Sequence, residues 1–458
     1  MPPHVFKFKE HSFSAAMLTD VKERECFLKT ANSINLPETP QAHNFLGLTR
    51  KSSNGENEYC SYYYVGATWL DKQIQHAMYV IPKIDCLDIQ AMFMTAFDSN
   101  IPFRKNKFCD IFKIKFEEDY IPLPKSFFQI TPLLIVYFLL LTRRLVTRGL
   151  KRDYVFREEN LNSKIKGKIL VSLNLKQNRL HGKRFSAYCR YQEYSVDCLE
   201  NRILKKALLF TKKYIGIHHA AFSGHCKELY SHLNYSLAAL AQVGNEIEAK
   251  EIKQLRINPI YKEYAKALRI AVMLLDKNAH YSFTEKSKGE LESELFPPFS
   301  IDMPLLFEYY VYSILYSCYG DNIEYHVSTY GNETDFLKHD ENLIIDAKYK
   351  LDWRNNHHDI RQICGYARNK NIRNKFKNIP SETEIVPGLF IYPQGVTDET
   401  TDETTDETTN ETTEINIRQA SYDVNKMPKT LIDPKNLVEP YIEIYAIGIA
   451  LPEVCKGL

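Results

Sequence analysis

The chain has 458 residues, of which 59 are Lys or Arg and 57 are Asp or Glu, so its formal net charge at pH 7 is only +2. The longest apolar run, at 130–141, is too short to span a bilayer, the N-terminal segment lacks the apolar core of a signal peptide, and the ten cysteines show no C-x-x-C pair and no zinc-ligand spacing. These features exclude a membrane protein, a disulfide-rich secreted domain and a zinc protein, and we expect a cytoplasmic α+β protein with free thiols and two or three domains.

Residues 1–125 predict an N-terminal α+β module. Strand patterns at 58–69 and 76–84 precede a helical pattern at 88–97. Prolines at positions 102, 122 and 124 then interrupt regular periodicity, which indicates that the module ends near residue 125.

Residues 126–294 predict a mainly helical domain with one β insertion. Apolar residues recur at helical spacing in 198–214, 227–241 and 259–275. Within the insertion, 164–175 could pair with 184–191 across a turn at Gly182.

The middle of the chain is strongly basic. Between positions 141 and 214 there are 19 Lys or Arg residues against 6 Asp or Glu, an excess of 13. Such an excess is typical of a surface that binds a polyanion, and we expect contact with double-stranded DNA. The alternative is an ordinary solvated surface whose lysines pair with acids elsewhere.

The third predicted domain, 295–458, contains an acidic pair with a lysine. Its segment 343–349 predicts a buried strand, and a turn centred on 340–341 would place Asp335 directly opposite Asp346, with Cβ atoms about 5 Å apart. Like charges at this distance destabilise a sheet, and a divalent cation between them would convert that penalty into a binding site. Lys348 points to the same face as Asp346 because it follows two residues later. The three side chains favour Mg²⁺-dependent phosphodiester hydrolysis.

Three more side chains accompany this set. Glu308 is the single acid of an apolar helical pattern at 304–316, and Gln362 and Tyr366 share one face of a predicted helix at 359–368 because they are four residues apart. The alternative interpretation is a surface hairpin with an ordinary ion pair and routine helix residues. The order of all six favours a catalytic site.

An acidic repeat interrupts the end of this domain. Residues 396–415 repeat the tetrad TDET between predicted strands at 385–392 and 441–450. Such a polar, low-complexity sequence cannot bury a core, so we predict a disordered loop.

The order of these residues resembles that of the PD-(D/E)xK nucleases, and the chain is identified as similar to the McrC family, the nuclease subunit of the 5-methylcytosine restriction system. The similar segments read LFEYYV, IIDAKYK and DIRQICGYA, with further similarity at 81–84 and 167–204. Thr334 departs from the pattern because it stands where the nuclease motif has a proline.

The resemblance implies a C-terminal α/β domain of the restriction-endonuclease type. Asp335 and Asp346, with the backbone carbonyl of Ala347, would hold Mg²⁺, and Glu308 could add a ligand or a water-mediated contact. Lys348 would position or deprotonate the attacking water, or stabilise the charged phosphorane. In related nucleases, Gln and Tyr residues in the positions of Gln362 and Tyr366 contact the DNA backbone or orient the acids, whereas a Tyr there could equally belong to the core.

The resemblance also implies a partner. McrC-family proteins act in defence against foreign DNA with a AAA+ GTPase hexamer of the McrB type, onto which their N-terminal region docks and whose GTP hydrolysis it stimulates. The present sequence has no phosphate-binding loop of its own. Three alternatives stay open: a nuclease subunit for an unmethylated site, a catalytically silent adaptor that activates the GTPase, and a DNA-repair exonuclease.

Overall fold

Helices and strands follow one another along the residues that the computed structural model describes, and five sheets form among them. These are residues 4–12, 18, 20–34, 46–53, 56–96, 108–124, 130–222, 225–247, 262–284, 293–329, 332–351, 357–376, 385–394, 421–422, 427–438, 441 and 443–453. The strands are β1 (His4–Lys9), β2 (Thr49–Ser53), β3 (Glu56–Cys60), β4 (Tyr64–Asp71), β5 (His76–Ile81), β6 (Phe112–Ile114), β7 (Ile121–Pro124), β8 (Asp153–Asn162), β9 (Lys168–Ile169), β10 (Ser186–Ser195), β11 (Ser293–Phe296), β12 (Phe299–Asp302), β13 (Ile323–Thr329), β14 (Asn332–Lys338), β15 (Leu343–Ala347), β16 (Gly388–Pro393), β17 (Ser421–Tyr422) and β18 (Ile444–Ile449). The α-helices are α1 (Val21–Ser33), α2 (Ile89–Ala96), α3 (Phe108–Ile111), α4 (Ile130–Arg148), α5 (Val171–Asn174), α6 (Leu199–Ile217), α7 (Cys226–Ala239), α8 (Lys262–Thr284), α9 (Met303–Tyr319), α10 (His357–Arg368) and α11 (Lys370–Arg373). The predicted mixture of helices and sheets is confirmed, and the acidic repeat at 396–415 lies outside the described residues.

The chain divides into two compact units. Unit 1 comprises residues 1–128 together with 291–458, and unit 2 comprises 129–290. Strands β7 and β11 pair antiparallel within unit 1, from Ser293 opposite Pro124 to Phe296 opposite Ile121. The chain therefore leaves unit 1 and returns to it on neighbouring strands. This division is coarser than the three predicted domains, whose boundaries stay a prediction.

A five-stranded sheet in unit 1 combines strands from both ends of the chain, in the order β1-β5-β4-β12-β6. Strand β1 runs parallel to β5, whereas β12 pairs antiparallel with β4 on one side and with β6 on the other. Alternate β1 residues Phe6 and Phe8 are buried against Phe27 of α1. The N-terminus of α1 is capped by Asp20, whose carboxylate accepts from the Lys22 amide.

The second large sheet of unit 1 has six strands in the order β13-β14-β15-β16-β18-β17. The first three are antiparallel, and β15, β16, β18 and β17 run parallel. Helix α10 lies between β15 and β16 in the chain, and its buried residues Ile360 and Ile363 share a core with Leu337, Ile344 and Phe390. This packing places one face of α10 beside the end of β15.

The β14–β15 hairpin has the predicted register. Phe336 pairs with Ile345 and Lys338 pairs with Leu343, so the turn lies at 339–342. Lys338 is fully buried, and its ammonium contacts the carboxylates of Asp340, at 2.8 Å, and Glu341. Glu341 also accepts backbone amides from residues 431 and 432. The turn is therefore fixed from inside by one buried lysine.

Unit 2 contains a three-stranded sheet, β8-β10-β9, and the helices α4, α6, α7 and α8. The helical patterns at 198–214, 227–241 and 259–275 correspond to α6, α7 and α8. The predicted pairing across Gly182 is confirmed over two residues, where Cys189 and Arg190 of β10 pair with β9, but the main partner of β10 is β8, which pairs with all ten of its residues. No helix among the described ranges meets the length and hydropathy needed to cross a bilayer.

Candidate active site

Two carboxylates meet where the β14–β15 hairpin ends. The β14–β15 ladder ends at the pair Phe336 and Ile345, and Asp335 and Asp346 are the next residue on each strand, in the register that the sequence predicts. Asp346 is buried, and Asp335 is partly exposed. The Asp335 Oδ2 atom accepts from the Ala347 amide at 2.8 Å, which fixes its carboxylate across the strand pair.

The environment of this pair disfavours two negative charges. Burial raises the pKa of the Asp335 carboxyl well above its usual value, and the charges of Asp346 and Glu308 raise it further. Burial also raises the pKa of Asp346, although Lys348 opposes that shift. Two carboxylates placed this close disfavour each other's negative charge. A cation placed between them would relieve that repulsion.

Lys348 lies against the same pair. Its Nζ atom is 2.8 Å from Asp346 Oδ2 and donates to Gln362 Oε1 at 3.1 Å. Burial acts to lower the pKa of Lys348, but the carboxylates of Asp346, Asp335 and Asp359 outweigh it and raise the pKa above its usual value. Lys348 is therefore a cation in this environment, which suits stabilisation of negative charge better than proton abstraction.

Helix α10 supplies the two polar side chains predicted at four-residue spacing. Gln362 Nε2 donates to the hydroxyl of Tyr366 at 2.7 Å, while its carbonyl accepts from Lys348. Tyr366 is also buried in the core of the six-stranded sheet. Burial raises the pKa of Tyr366, and Asp346 and Asp335 add to the shift. Tyr366 therefore belongs both to the core and to the surroundings of the site.

Glu308 on α9 lies next to the acid pair without joining it. Its Oε1 atom is 2.6 Å from His326 Nε2, and its charge raises the pKa of Asp335. In the described ranges, no three His, Cys, Asp or Glu side chains converge in an arrangement that could hold a metal ion. The oxygen donors that the structure brings together here are the carboxylates of Asp335 and Asp346, and Glu308 is near enough to act on Asp335 through its charge.

Sequence reasoning missed His326 and Glu333. His326 on β13 lies between Tyr325 and Val327, which pair with residues of β14, and its Nδ1 atom is 2.8 Å from Glu333 Oε1. Its backbone has a φ of 52°, in the left-handed region that a residue with a side chain rarely adopts. Glu333 could have been found because it shares the face of Asp335 two residues away, but a single histidine in a strand gives no such signal.

A family model for the McrBC 5-methylcytosine restriction system component matches residues 111–375, which is more than half of the chain and includes all six predicted site residues. The chain belongs to this family. The resemblance to McrC noted in the sequence is thereby confirmed.

Two solved structures are similar to the chain. A half-complex from the tetradecameric assembly of Thermococcus gammatolerans McrB AAA+ hexamers with bound McrC shows 16% sequence identity, covers 86% of this chain and 88% of its own, and has a TM-score of 0.34. The cryo-EM structure of the Thermococcus gammatolerans McrBC complex shows 14% identity, covers 68% and 87%, and has a TM-score of 0.28. No curated protein matches the chain significantly.

Proposed function

We propose that this McrBC-family protein is the DNA endonuclease subunit of its restriction system, and that Asp335, Asp346 and Lys348 carry out metal-dependent phosphodiester hydrolysis. The observation that supports this most directly is the contact of a protonated lysine, Lys348, with the buried Asp346 beside the half-buried Asp335, where the pairing of β14 with β15 stops. Such a group destabilises the fold at neutral pH, so packing alone does not account for it.

The donor set fits Mg²⁺. This ion prefers oxygen ligands, keeps several waters, and needs only one or two carboxylates from a protein. Asp335 and Asp346 would hold it with the backbone carbonyl of Ala347, and Glu308 is near enough to Asp335 to act on it electrostatically. Bound Mg²⁺ would lower the pKa of a coordinated water and neutralise charge on the scissile phosphate.

The side chains around the acids would each have a defined task. Lys348 would place its ammonium against the phosphate as negative charge develops there. Gln362 would fix that ammonium through its carbonyl, and Tyr366 would fix the amide of Gln362. Interactions prepared in this way act without reorganisation during the reaction.

We assign the six-stranded sheet with α9 and α10 to the PD-(D/E)xK nuclease fold. The assignment is supported by the order of the β14–β15 hairpin and α10, which brings Asp335, Asp346, Lys348 and Gln362 together. Thr334 replaces the proline of the motif and is fully buried, so it does not stand between the acids and a substrate that approaches from solvent.

The proposed partners are double-stranded DNA and a AAA+ GTPase hexamer in the cytoplasm. Family membership supports the GTPase, whose hydrolysis the N-terminal region would stimulate. The basic excess between residues 141 and 214 supports DNA contact.

The experiment that tests this function is plasmid cleavage in Mg²⁺ with the GTPase and GTP, on methylated and unmethylated DNA. We expect cleavage of methylated DNA alone, and its loss in Lys348→Ala because the cation beside the acid pair is removed. Lys375→Ala, which alters an exposed lysine of the same unit, should cleave like the unaltered protein.

The other results would redirect the assignment. Cleavage regardless of methylation would keep the active site and favour a subunit of a system that recognises an unmethylated sequence. Stimulated GTP hydrolysis without any cleavage would contradict the catalytic proposal and leave a silent adaptor.

A further inference from the structure

A lysine from the N-terminal sheet reaches the residue that follows Lys348. Lys83 lies just beyond β5, and its ammonium donates to the carbonyl of Tyr349 at 2.7 Å. The same ammonium lies over the Tyr349 ring, 3.8 Å from its centroid, and 4.6 Å from the centroid of Tyr63. One side chain thus holds Tyr349 by its backbone and by its ring.

A buried acid completes this contact. Glu10, just beyond β1, is 2% exposed, and its Oε1 atom accepts from the Tyr349 hydroxyl at 2.7 Å and from the Lys83 amide at 3.0 Å. Tyr349 is 4% exposed and also packs against Phe307 of α9. We call Glu10, Lys83 and Tyr349 the clamp.

The clamp is costly to bury. Burial raises the pKa of Glu10 and lowers the pKa of Lys83 to about 8, and each charge only partly relieves the other. Apolar residues of similar size would pack these positions at least as stably. The presence of Glu10 and Lys83 here is best explained by the position in which they hold Tyr349.

The clamp acts where regular pairing stops. Strand β15 ends at Ala347, and the Lys348 amide makes a last sheet-like bond to the Ile391 carbonyl at 2.8 Å. Beyond it, the Lys350 ammonium contacts Asp359 of α10 at 2.5 Å. Between these two contacts, the chain is held by the bonds of Tyr349 to Glu10 and Lys83.

We propose that Glu10 and Lys83 are positioning residues for the nuclease site, which fix Tyr349 and thereby set the ammonium of Lys348 against Asp346 and Gln362. This inference rests on the proposed function. Catalytic groups must be held to within a fraction of an ångström, and a displacement of about 1 Å by a change outside the site can cost about a hundredfold in rate.

The test combines cleavage kinetics with hydrogen–deuterium exchange of the peptide that covers residues 343–351. We expect Lys83→Met to lower kcat by about tenfold or more with little change in KM for DNA, because substrate contacts stay while Lys348 loses its position. The same variant should exchange faster at 343–351. Glu10→Gln keeps an acceptor for the Tyr349 hydroxyl and should retain more activity than Glu10→Leu.

Thr30→Val is the matched control. Thr30 is a buried residue of α1 whose hydroxyl lies 2.8 Å from Nδ1 of His76 on β5, so the variant loses a hydrogen bond outside the clamp. It should leave both kcat and the exchange of 343–351 unchanged. Thermal unfolding checks that all variants are folded. If Lys83→Met is not folded, the milder variant Glu10→Gln takes its place in the test.

Two results separate the inference from the function on which it rests. Equal kcat and equal exchange in Lys83→Met and Thr30→Val would overturn the positioning role. If the unaltered protein with its GTPase cuts no DNA, the proposed function fails, and the exchange of 343–351 alone decides whether the clamp holds the end of β15.

Discussion

At the scale of single residues, the site is a source of instability. The pKa values of Asp335 and Asp346 are raised, chiefly by burial. A carboxyl whose pKa is higher in the folded state than in the unfolded state adds no penalty below the unfolded-state value of about 4, and its penalty grows as the pH rises from there to the folded-state value. At neutral pH without metal, the acid pair therefore opposes folding.

Removing one of these charges should stabilise the metal-free protein. Asp335→Asn keeps an acceptor for the Ala347 amide, and we expect it to raise the free energy of unfolding at pH 7, because the asparagine amide carries no negative charge beside Asp346. The gain should vanish as the pH approaches about 4. Denaturant unfolding in EDTA across this range measures it.

Magnesium provides the complementary measurement. The ion should raise the thermal stability of the unaltered protein and have little effect on Asp335→Asn, because ligand binding stabilises only a fold that contains the site. Asp119→Asn, at a largely exposed acid, should behave like the unaltered protein. Equal stability of Asp335→Asn and the unaltered protein at pH 7 would show that the pair is not strained.

Residues of the site differ in how far the sequence could predict them. The positions of Asp335, Asp346 and Lys348 were predictable from two local features: the alternation of side chains along a strand and the single turn of the hairpin. His326 is brought to Glu308 by packing between α9 and β13, and Lys83 is 266 residues from Tyr349. Contacts of this kind depend on how distant elements pack, which no local pattern encodes.

At the scale of elements, the hairpin depends on its buried lysine. The Lys338 side chain is fully buried against Asp340 and Glu341, and it lies over the Tyr319 ring. Breaking a buried ion pair by removing one partner typically costs 3–5 kcal/mol. The hairpin is the element that sets Asp335 opposite Asp346.

We expect Lys338→Met to lower the free energy of unfolding by about 3 kcal/mol, because the Glu341 carboxylate then keeps only backbone donors. Denaturant unfolding with and without the substitution gives the value. A loss below about 1 kcal/mol, typical of a surface ion pair, would contradict the role given to this lysine. Lys435→Met in the short turn at 434–436 is the control and should change little.

Elements were predictable where their periodicity was clear. The hairpin, α10 and the helices of unit 2 follow from apolar spacing. Strand β8 did not, because most of its residues are exposed and it lacks apolar alternation. The sequence therefore predicted the short pairing of β10 with β9 and missed its longer pairing with β8.

At the scale of the whole molecule, the N-terminal sheet is completed by the chain that follows unit 2. Gly66 of β4 packs so closely on β12 that a Cβ atom there would lie 2.0 Å from the Phe299 carbonyl oxygen, and its φ is +156°. Only glycine permits this approach. The two halves of unit 1 should therefore unfold together.

Gly66→Ala should destabilise unit 1 by more than about 3 kcal/mol, because backbone atoms of β12 would have to move. Gly365→Ala is the matched control, since a Cβ atom there meets nothing within 4 Å and alanine is the better helix former. It should be neutral or slightly stabilising. Loss of the far-ultraviolet transition and of protease resistance in Gly66→Ala alone would agree with this reading, whereas two equally stable variants would not.

The pairing of β7 with β11 has a consequence for how such a chain can change. Pro124 and Ser293 are opposed residues, so the points at which the chain departs and returns are about 5 Å apart. The free-energy cost of closing a loop rises only slowly with its length. The stability of unit 1 should therefore depend only weakly on the length of the segment inserted between those points. Segments of different length could therefore replace unit 2 between β7 and β11 while unit 1 keeps its two sheets and the acid pair.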